Sequence, residues 1–354
     1  MIITSIILAF VLTGILFVKL HPVFGSGPSV ASMSRIKQSP NYEDGKFVNL
    51  EPTIVMMEDN SMFSTMWEWI KGPENGTPDS VVTKKFNKEE FLSHKDSTFK
   101  ITWFGHSSAL LKMDNKVILI DPVFSTYASP LPFTNRSFKF TNPVNVEDLP
   151  EIDVLLISHD HYDHLDLETI KKIDKKVKSY YVPLGVEGHL IRWGVNPEKI
   201  TIADWWDEFE LDDNLLLAAT PARHFSGRLI KRNTTLWCSW VLKSSLGNIY
   251  FGADSGYGKH FKMIGEKYGP FKLTMIECGQ YNVGWPTIHA MPEQSVQAHI
   301  DLKGEEMMTI HWGKYQLALH SWTEPIERAR AEAERQNVKL IEPIIGDVNE
   351  IVLK

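Results

Sequence analysis

The sequence predicts an α/β protein in which helices cover mixed β-sheets. After residue 99, short apolar runs of strand length alternate with longer stretches of helical periodicity. Several of the short runs are apolar without alternation, which is typical of strands buried on both faces. The chain has 354 residues, 43% of them hydrophobic, so it can form one large core or two modest ones.

The first element is an apolar segment, residues 2–18, that carries no charge before Lys19. At about 1.5 Å per helical residue, this length just spans a bilayer. A signal peptide would show a basic start and a small-residue cleavage site, whereas here no basic residue precedes the run and His21-Pro22 follows it. We interpret residues 1–24 as an uncleaved transmembrane helix that anchors the protein in a membrane; a cleaved signal peptide and a buried core helix are the alternatives. The nearby basic residues all follow the run, which favours a catalytic domain on the cytoplasmic side.

Residues 25–98 are rich in serine, proline, asparagine and charged side chains, and we predict an extension that packs on the core. Within it, Asn60 or Ser61 can cap a short helix, because their side-chain oxygens accept free backbone amides. That helix would carry the apolar side chains of Met62, Phe63, Met66 and Trp67. It either covers the edge of the core or faces lipid.

Residues 99–354 form the predicted catalytic domain. Strands are predicted at residues 100–104, 117–121, 154–158, 215–220, 248–253, 273–277 and 307–311. Helices are predicted at residues 165–176, 259–268, 292–302 and 324–336. Pro292 and Pro325 suit the first turns of the last two, where a missing amide hydrogen costs little.

Charge and cysteine content narrow the function classes. The formal net charge of -7 gives no broad positive field to gather phosphate backbones, so nucleic acid is not an expected partner. The two cysteines, Cys238 and Cys278, exclude a four-cysteine metal site and do not indicate a disulfide framework. The 13 histidines are therefore the better candidates for metal ligands.

A dense run of ligand-type side chains follows the predicted strand at residues 154–158. His159 and His161 are two residues apart, so in extended chain both point to one side and can share a metal ion. Asp163 and His164 follow where a helix is predicted to begin, and this change of direction lets them reach a second ion. Imidazole and carboxylate are the donors that zinc favours when cysteine is absent.

The run SHDHYDHLD at residues 158–166 resembles the signature of the metallo-β-lactamase superfamily. The resemblance implies a four-layer αβ/βα sandwich and further ligands at the ends of later strands. His224 in TPARH, Asp254 in YFGADSG and His311 in TIHWG occupy such positions. By this resemblance the protein binds two zinc ions, one held by His159, His161 and His224, the other by Asp163, His164 and His311, with Asp254 bridging them.

The chain is similar, more narrowly, to the branch that contains the N-acylphosphatidylethanolamine-hydrolysing phospholipase D. The similarity rests on ITWFGHSS (101–108), IDPVF (120–124), FGADSGY (251–257), YGPF (268–271), HAMPEQ (289–294) and IHWG (310–313). It implies that His289 contacts the substrate; a capped loop histidine is the alternative. The chain departs from the animal enzymes in its N-terminal segment and at residues 227–232, where substrate contacts are expected to differ.

Two further residues are candidates for a supporting role behind the metal ligands. Asp121 ends a buried strand before Pro122 and can accept a hydrogen bond from a zinc-bound histidine, since such ligands usually need an acceptor for their other ring nitrogen. His106 lies in a Gly-His-Ser-Ser turn similar to a turn near the metals of the superfamily. It is either an orienting residue or a plain turn histidine.

Two zinc ions can share a water, lower its pKa toward neutrality and supply a bridging hydroxide. We expect this hydroxide to attack the phosphorus of a phosphodiester, with Asp163 and Asp254 fixing it and His289 contacting the phosphate. The expected substrate is a phospholipid of the N-acylphosphatidylethanolamine type or another membrane-derived molecule, so the membrane is an expected partner.

Two alternatives stay open. A lactonase or amide hydrolase of the same fold is one, because the same hydroxide attacks carbonyl carbon. A non-catalytic membrane scaffold is the other, disfavoured because all seven ligand positions are filled. A homodimer is left open, and the ligand set tolerates iron or manganese as well as zinc.

Overall fold

The computed structural model describes residues 2–57, 71–93, 98–113, 115–228 and 231–352. Two seven-stranded mixed sheets and a small hairpin contain the strands. The strands are β1 (Tyr42–Glu43), β2 (Lys46–Phe47), β3 (Thr98–Trp103), β4 (Ala109–Met113), β5 (Lys116–Ile120), β6 (Ile152–Leu156), β7 (Val177–Pro183), β8 (Ile200–Ala203), β9 (Glu208–Asp212), β10 (Leu215–Thr220), β11 (Ser239–Ser244), β12 (Asn248–Phe251), β13 (Phe271–Glu277), β14 (Gly304–Ile310), β15 (Lys339–Ile341) and β16 (Asn349–Val352).

The helices of the described part are α1 (Ile2–Leu20), α2 (Met33–Ile36), α3 (Lys88–Leu92), α4 (Leu167–Ile173), α5 (Glu187–Arg192), α6 (His260–Tyr268), α7 (Pro292–Asp301) and α8 (Glu324–Arg335). The proline at position 292 begins α7, and the one at 325 is in the first turn of α8, as their missing amide hydrogens predict. The helix predicted around residues 61–70 lies outside the described residues.

Both large sheets combine an antiparallel and a parallel part. The first sheet has the order β16-β3-β4-β5-β6-β7-β8, and the second has the order β15-β14-β13-β12-β11-β10-β9. In the first sheet, β5 to β8 are parallel. In the second sheet, β12 to β15 are parallel, and β10 runs the same way because both it and β12 are antiparallel to β11.

Three apolar layers confirm the predicted four-layer sandwich. The largest cluster lies between the sheets, where Ile118 and Leu156 of the first sheet pack with residues such as Leu217 of the second. On the outer face of the first sheet, α4 packs against strands β4 to β7. On the outer face of the second sheet, α6 and α7 do the same against β10 to β14. Helix, sheet, sheet and helix therefore follow one another, as the fold class requires.

The interpretation of the N-terminal segment as a transmembrane anchor is wrong. Within the residues that the structure describes, no helix combines the length and the apolar character needed to cross a membrane. This holds for α1, which has 19 residues. Lys19 lies in its last turn. The predicted location as a membrane-anchored protein with a cytoplasmic catalytic domain depended on that anchor and is withdrawn with it.

The end of α1 and the chain after it are hydrogen-bonded to the last residue of α5 and the residue that follows it. The Arg192 guanidinium donates to the carbonyls of Leu20 at 3.1 Å and Gly25 at 2.6 Å. The Trp193 indole donates to the carbonyl of Pro22 at 2.7 Å. Farther along, Ile36 and Phe47 are buried in the core between the sheets. The division into residues 1–24, 25–98 and 99–354 stays a prediction.

A further contact of the N-terminal segment leads to the run at residues 158–166. The backbone N–H of Ser26 donates to His189 Nδ1 at 2.9 Å, and His189 Nε2 lies 3.1 Å from Asp160 Oδ2. Asp160 stands between His159 and His161 and is itself buried. The N-terminal segment thus contacts the candidate ligand run through a buried histidine.

Candidate metal centre

The candidate ligands follow the carboxyl ends of strands that run in one direction in each sheet. The run at residues 158–166 follows β6, and Asp121 follows the neighbouring β5. Asp254, Glu277 and His311 follow the parallel strands β12, β13 and β14 of the other sheet. Because strands that run in one direction end at the same edge, these side chains meet where the two sheets face each other.

Local hydrogen bonds fix the turn between β6 and α4, which carries the ligand side chains. The backbone N–H of Ser158 donates to Asp121 Oδ1 at 2.7 Å, which fixes the end of the strand. Asp166 caps α4 by accepting from the backbone amides of Glu168 and Thr169. The residues between these two anchors form the ligand run.

Eight side chains form two groups, each with its donor atoms within 4.8 Å of one another, and Asp254, His289 and His311 form a third, overlapping group. The first group consists of His159, His161, His224 and Asp254. The second group consists of His106, Asp163, His164 and His311. All seven predicted ligand positions therefore come together, and His106 joins them.

Asp254 lies between the two groups. Its Oδ1 is 3.1 Å from His164 Nε2, and its Oδ2 is 3.2 Å from His311 Nε2, both in the second group. The same Oδ2 is 3.7 Å from His159 Nε2 and 3.6 Å from His224 Nε2 in the first group. The carboxylate can thus contact cations held by either group.

The donor atoms of this centre fit a metal ion. In the described part of the chain, His164 Nε2, His311 Nε2 and Asp254 Oδ1 are buried without a hydrogen-bond partner. Buried polar atoms normally have a hydrogen-bond partner, so three such atoms without one at the same point need another explanation. Imidazole nitrogen and carboxylate oxygen are ligands for divalent cations such as zinc, and a cation between them would satisfy all three atoms.

The electrostatics of the centre also favour a cation. Burial lowers the pKa of His159 and His224 well below the ordinary value, which keeps these rings in the neutral form that ligates metals. For His164, burial lowers the pKa, but the carboxylates of Asp254 and Asp163 outweigh it and raise the pKa to about 10. A field that attracts a proton to this ring attracts a metal cation as well.

The structure brings Asp121 to the position expected of an orienting residue. Its Oδ2 is 2.8 Å from His164 Nδ1, on the opposite side of the ring from the candidate metal. The carboxylate is fully buried, and burial raises its pKa although the contacts with His164 and Ser158 oppose the shift. An acceptor at Nδ1 leaves Nε2 with the lone pair that ligation needs.

The turn that contains His106 connects the two sheets. The backbone N–H of His106 donates to Trp312 O at 2.8 Å, and the backbone N–H of His311 donates to His106 O at 2.9 Å. His106 Nε2 lies 2.8 Å from Asp163 Oδ2. The role of the ring therefore goes beyond closing a turn. Its position suits either a hydrogen bond that orients Asp163 or direct binding of a metal ion.

Sequence reasoning missed Glu277, which ends β13. Its Oε2 is 2.8 Å from His289 Nδ1 and 3.1 Å from His311 Nδ1, and its Oε1 accepts from the backbone N–H of Ser255 at 2.5 Å. The side chain is 1% exposed. A carboxylate that closes an apolar strand was the available signal, the same one that identified Asp121.

A cavity of about 250 Å³ opens onto the centre. Asp163, Asp254, His161 and His311 form its metal-binding side, next to His289 and Gln280. The rest of the wall is apolar apart from one basic residue, Arg232, and consists of Val55, Met56, Phe225, Trp285, Ile288 and Leu317. The cavity thus joins a cluster of metal donors to a hydrophobic surface.

Two packed mixed sheets with a buried histidine and aspartate centre at their strand ends define a metal-dependent hydrolase. Comparisons with known proteins agree. Residues 116–312 match the family model described as a beta-lactamase superfamily domain. A metallo hydrolase of the archaeon Ignicoccus hospitalis has a similar fold, with a TM-score of 0.55 and 22% identity over 73% of this chain and 100% of that one.

Two curated relatives cover most of the chain. An uncharacterized protein of Mycobacterium tuberculosis is 40% identical over 90% of this chain and 87% of its own length. The N-acyl-phosphatidylethanolamine-hydrolyzing phospholipase D 1 of Caenorhabditis elegans is 30% identical over 73% of this chain and 76% of its own length. The chain belongs to the metallo-β-lactamase superfamily, in the branch similar to that phospholipase D, and the family implies a divalent metal at the centre described above.

Proposed function

We propose that the protein is a zinc-dependent phosphodiesterase that hydrolyses phospholipids of the N-acylphosphatidylethanolamine type. The reaction would release an N-acylethanolamine and leave phosphatidic acid. The observation that carries the proposal is the apolar cavity that opens onto two groups of metal donors joined by Asp254. The Caenorhabditis elegans relative, an N-acyl-phosphatidylethanolamine-hydrolyzing phospholipase D, supports the same substrate class.

In this proposal, His159, His161 and His224 hold one zinc ion, and Asp163, His164 and His311 hold the other, with Asp254 shared. The distances of Asp254 to both groups support the sharing. Two bound zinc ions would supply Lewis acidity and a water of near-neutral pKa. Asp163 and Asp254 would orient the attacking water with their carboxylate oxygens.

His289 has a separate part in the proposal, at the leaving group. Its Nδ1 is 2.8 Å from Glu277 Oε2, so the carboxylate favours the form with a proton on Nδ1. His289 lines the cavity, so its other ring nitrogen, Nε2, would be the one to exchange a proton with the substrate. Hydrolysis moves a proton from the attacking water to the oxygen that leaves phosphorus, and Nε2 of His289, unprotonated in this form, would accept that proton and pass it on.

The apolar wall gives the acyl chains a place to bind. Phe225, Trp285 and Leu317 are three of its side chains, and they border the donor groups directly. A phospholipid could lie with its phosphate at the metals and its hydrocarbon against this wall, which excludes water from the chains. A small polar substrate would leave the same wall exposed.

Turnover of defined substrates tests the proposal. The full chain, with its metal content measured by mass spectrometry, is assayed with an N-acylphosphatidylethanolamine, a lactone and a β-lactam. We expect the chain to contain close to two zinc ions and to release N-acylethanolamine from the lipid. Lactone or β-lactam hydrolysis without lipid cleavage would replace the phosphodiesterase by a carbonyl hydrolase. Less than one metal ion and no turnover of any substrate would favour a non-catalytic scaffold.

A further inference from the structure

The loop after His224 contains three basic residues whose environments differ. Arg228 is buried, and its Nη1 donates to the carbonyls of Asp160 at 2.7 Å and Leu165 at 2.8 Å. Its guanidinium also lies 4.1 Å from the centre of the Tyr162 ring. This arginine holds the ligand run in place and is not accessible to a ligand. Lys231 and Arg232 are both exposed, but of the two only Arg232 lines the cavity.

The loop is built so that Arg232 returns to the cavity. At its base, the backbone N–H of Asn233 donates to Ser226 O at 3.0 Å, and that of Ser226 donates to Asn233 Oδ1 at 3.3 Å. Gly227 has a φ of 136°, and a Cβ at this position would lie 2.7 Å from Lys231 O. Only glycine permits so close an approach, so the narrow loop is a property of the sequence at position 227.

The guanidinium of Arg232 lies over an aromatic ring that borders the metal donors. Its Cζ is 5.3 Å from the centre of the Phe225 ring. Phe225 in turn packs on His161, with ring centres 4.6 Å apart, and on His224, at 4.8 Å. Stacking on Phe225 limits the positions of the guanidinium and keeps it beside the cavity.

Arg232 is a cation without a protein counter-ion in the part of the chain that the structure describes. No carboxylate of that part lies within 4.0 Å of its guanidinium, although Asp163 and Asp254 also line the cavity. It is also the one lysine or arginine of that part that lines the cavity. The hydrogen-bond donors of its guanidinium are therefore available to an incoming anion.

We propose that Arg232 forms an anion-binding subsite at the rim of the metal cavity and binds a phosphate oxygen of the substrate. The proposal rests on the proposed function, because it assigns a substrate group to the same cavity. A guanidinium presents paired donors that match two phosphate oxygens, and stacking on Phe225 leaves those edges free. A lactone or other neutral substrate would gain little from this cation. Arg232 would thus select anionic phosphodiesters over neutral esters.

Calorimetric titration of the metal-loaded full chain tests the subsite. The ligands are dibutyl phosphate, a phosphodiester monoanion, and inorganic phosphate, which is the free form of the same group. The variants are R232M, R232K and, as the matched control, K231M, which removes one positive charge from the same loop. We expect R232M to bind dibutyl phosphate roughly tenfold more weakly, R232K to lie between it and the wild type, and K231M to stay within about twofold.

The two ligands separate the sources of the phosphate. Weaker binding of dibutyl phosphate alone in R232M would assign the subsite to diesters, and weaker binding of both ligands would assign it to phosphate in general. Unchanged binding of dibutyl phosphate, or an equal loss in K231M, would overturn the proposal. A wild type that cleaves no phosphodiester but loses dibutyl phosphate binding in R232M would reject the proposed function and retain the subsite.

Discussion

The two sheets supply their candidate metal ligands in different ways. The first sheet provides His159, His161, Asp163 and His164 from one turn of chain after β6, together with a carboxylate from β5 behind them. The second sheet provides its candidates one at a time, from the ends of β10, β12 and β14. The first half can be ordered by local hydrogen bonds, whereas the second half depends on the register of three strands.

The supporting carboxylates differ in the same way. Asp121 contacts His164 and also the backbone of the adjacent Ser158, so it stabilises one ligand and the strand end that carries it. Glu277 contacts two imidazoles, those of His289 and His311. The first half thus uses its buried acid to fix a candidate ligand, and the second uses its acid to link a candidate ligand with a histidine that lines the cavity.

The strongest test of this comparison is Asp254→Asn, because Asp254 contacts both halves. We expect zinc content to fall and hydrolysis to drop by more than about a hundredfold, since even outer partners of metal ligands cost 10–100-fold. Asp301→Asn, a change at a half-buried carboxylate of α7, is the control. Metal analysis and turnover are measured on both variants. Full zinc content with normal activity in Asp254→Asn would show that the two halves do not share a bridging ligand.

Asp121→Asn tests the first half. The amide oxygen can still accept from the backbone N–H of Ser158, but the NH2 group that replaces Oδ2 donates and cannot accept from His164 Nδ1, so His164 loses its fixed orientation. We expect zinc affinity to fall by about 10- to 100-fold and activity to recover at high zinc concentration. Competition with a chelator gives the affinity. Unchanged affinity would mean that His164 needs no support from β5.

Glu277→Gln tests the second half and should behave differently. We expect about a tenfold loss of zinc affinity through His311, and a loss of turnover that excess zinc does not restore, because His289 is also misoriented. Turnover at saturating zinc, compared with that of Asp121→Asn, is the measurement. Full recovery of both variants would remove the proposed difference between the two carboxylates.

The smallest expected effect concerns a histidine of the second half outside the centre. Burial lowers the pKa of His299 to about 4, so the unfolded chain binds more protons than the folded chain between about pH 6.5 and pH 4. The free energy of unfolding therefore decreases as the pH falls through this range. Between pH 7.5 and pH 5.5, the free energy of unfolding measured in urea should fall by about 1 kcal/mol less for His299→Asn than for the wild type. His21→Asn, at an exposed histidine, is the control, and equal pH dependence of all three proteins would contradict the assignment.

The same difference between the halves explains what the sequence could predict. The ligand run of the first half is visible because its spacing is local, and strand geometry alone brings His159 and His161 together. His224, Asp254 and His311 became candidates through a family resemblance, since no spacing rule connects residues on three strands. Glu277 was missed because a buried carboxylate shows its purpose only through its contacts.

The secondary structure follows the same logic. Seven strands were predicted from apolar runs, but the interior strands β4, β7 and β11 were missed. β9, with the sequence EFELD, carries charge at an edge and gave no such signal. The N-terminal prediction failed for another reason. Apolar composition alone indicated a membrane helix, whereas no helix of the described residues has the length and apolar character to cross a membrane.

The contacts of Arg192 and Trp193 determine where the chain can be shortened for laboratory work. A cut before Lys19 would keep the carbonyls of Leu20, Pro22 and Gly25 that these side chains use. A cut after residue 32 would remove them and also the amide of Ser26 that His189 accepts. Since His189 contacts Asp160 inside the ligand run, a protein trimmed too far would be expected to load metal poorly although every candidate ligand is present.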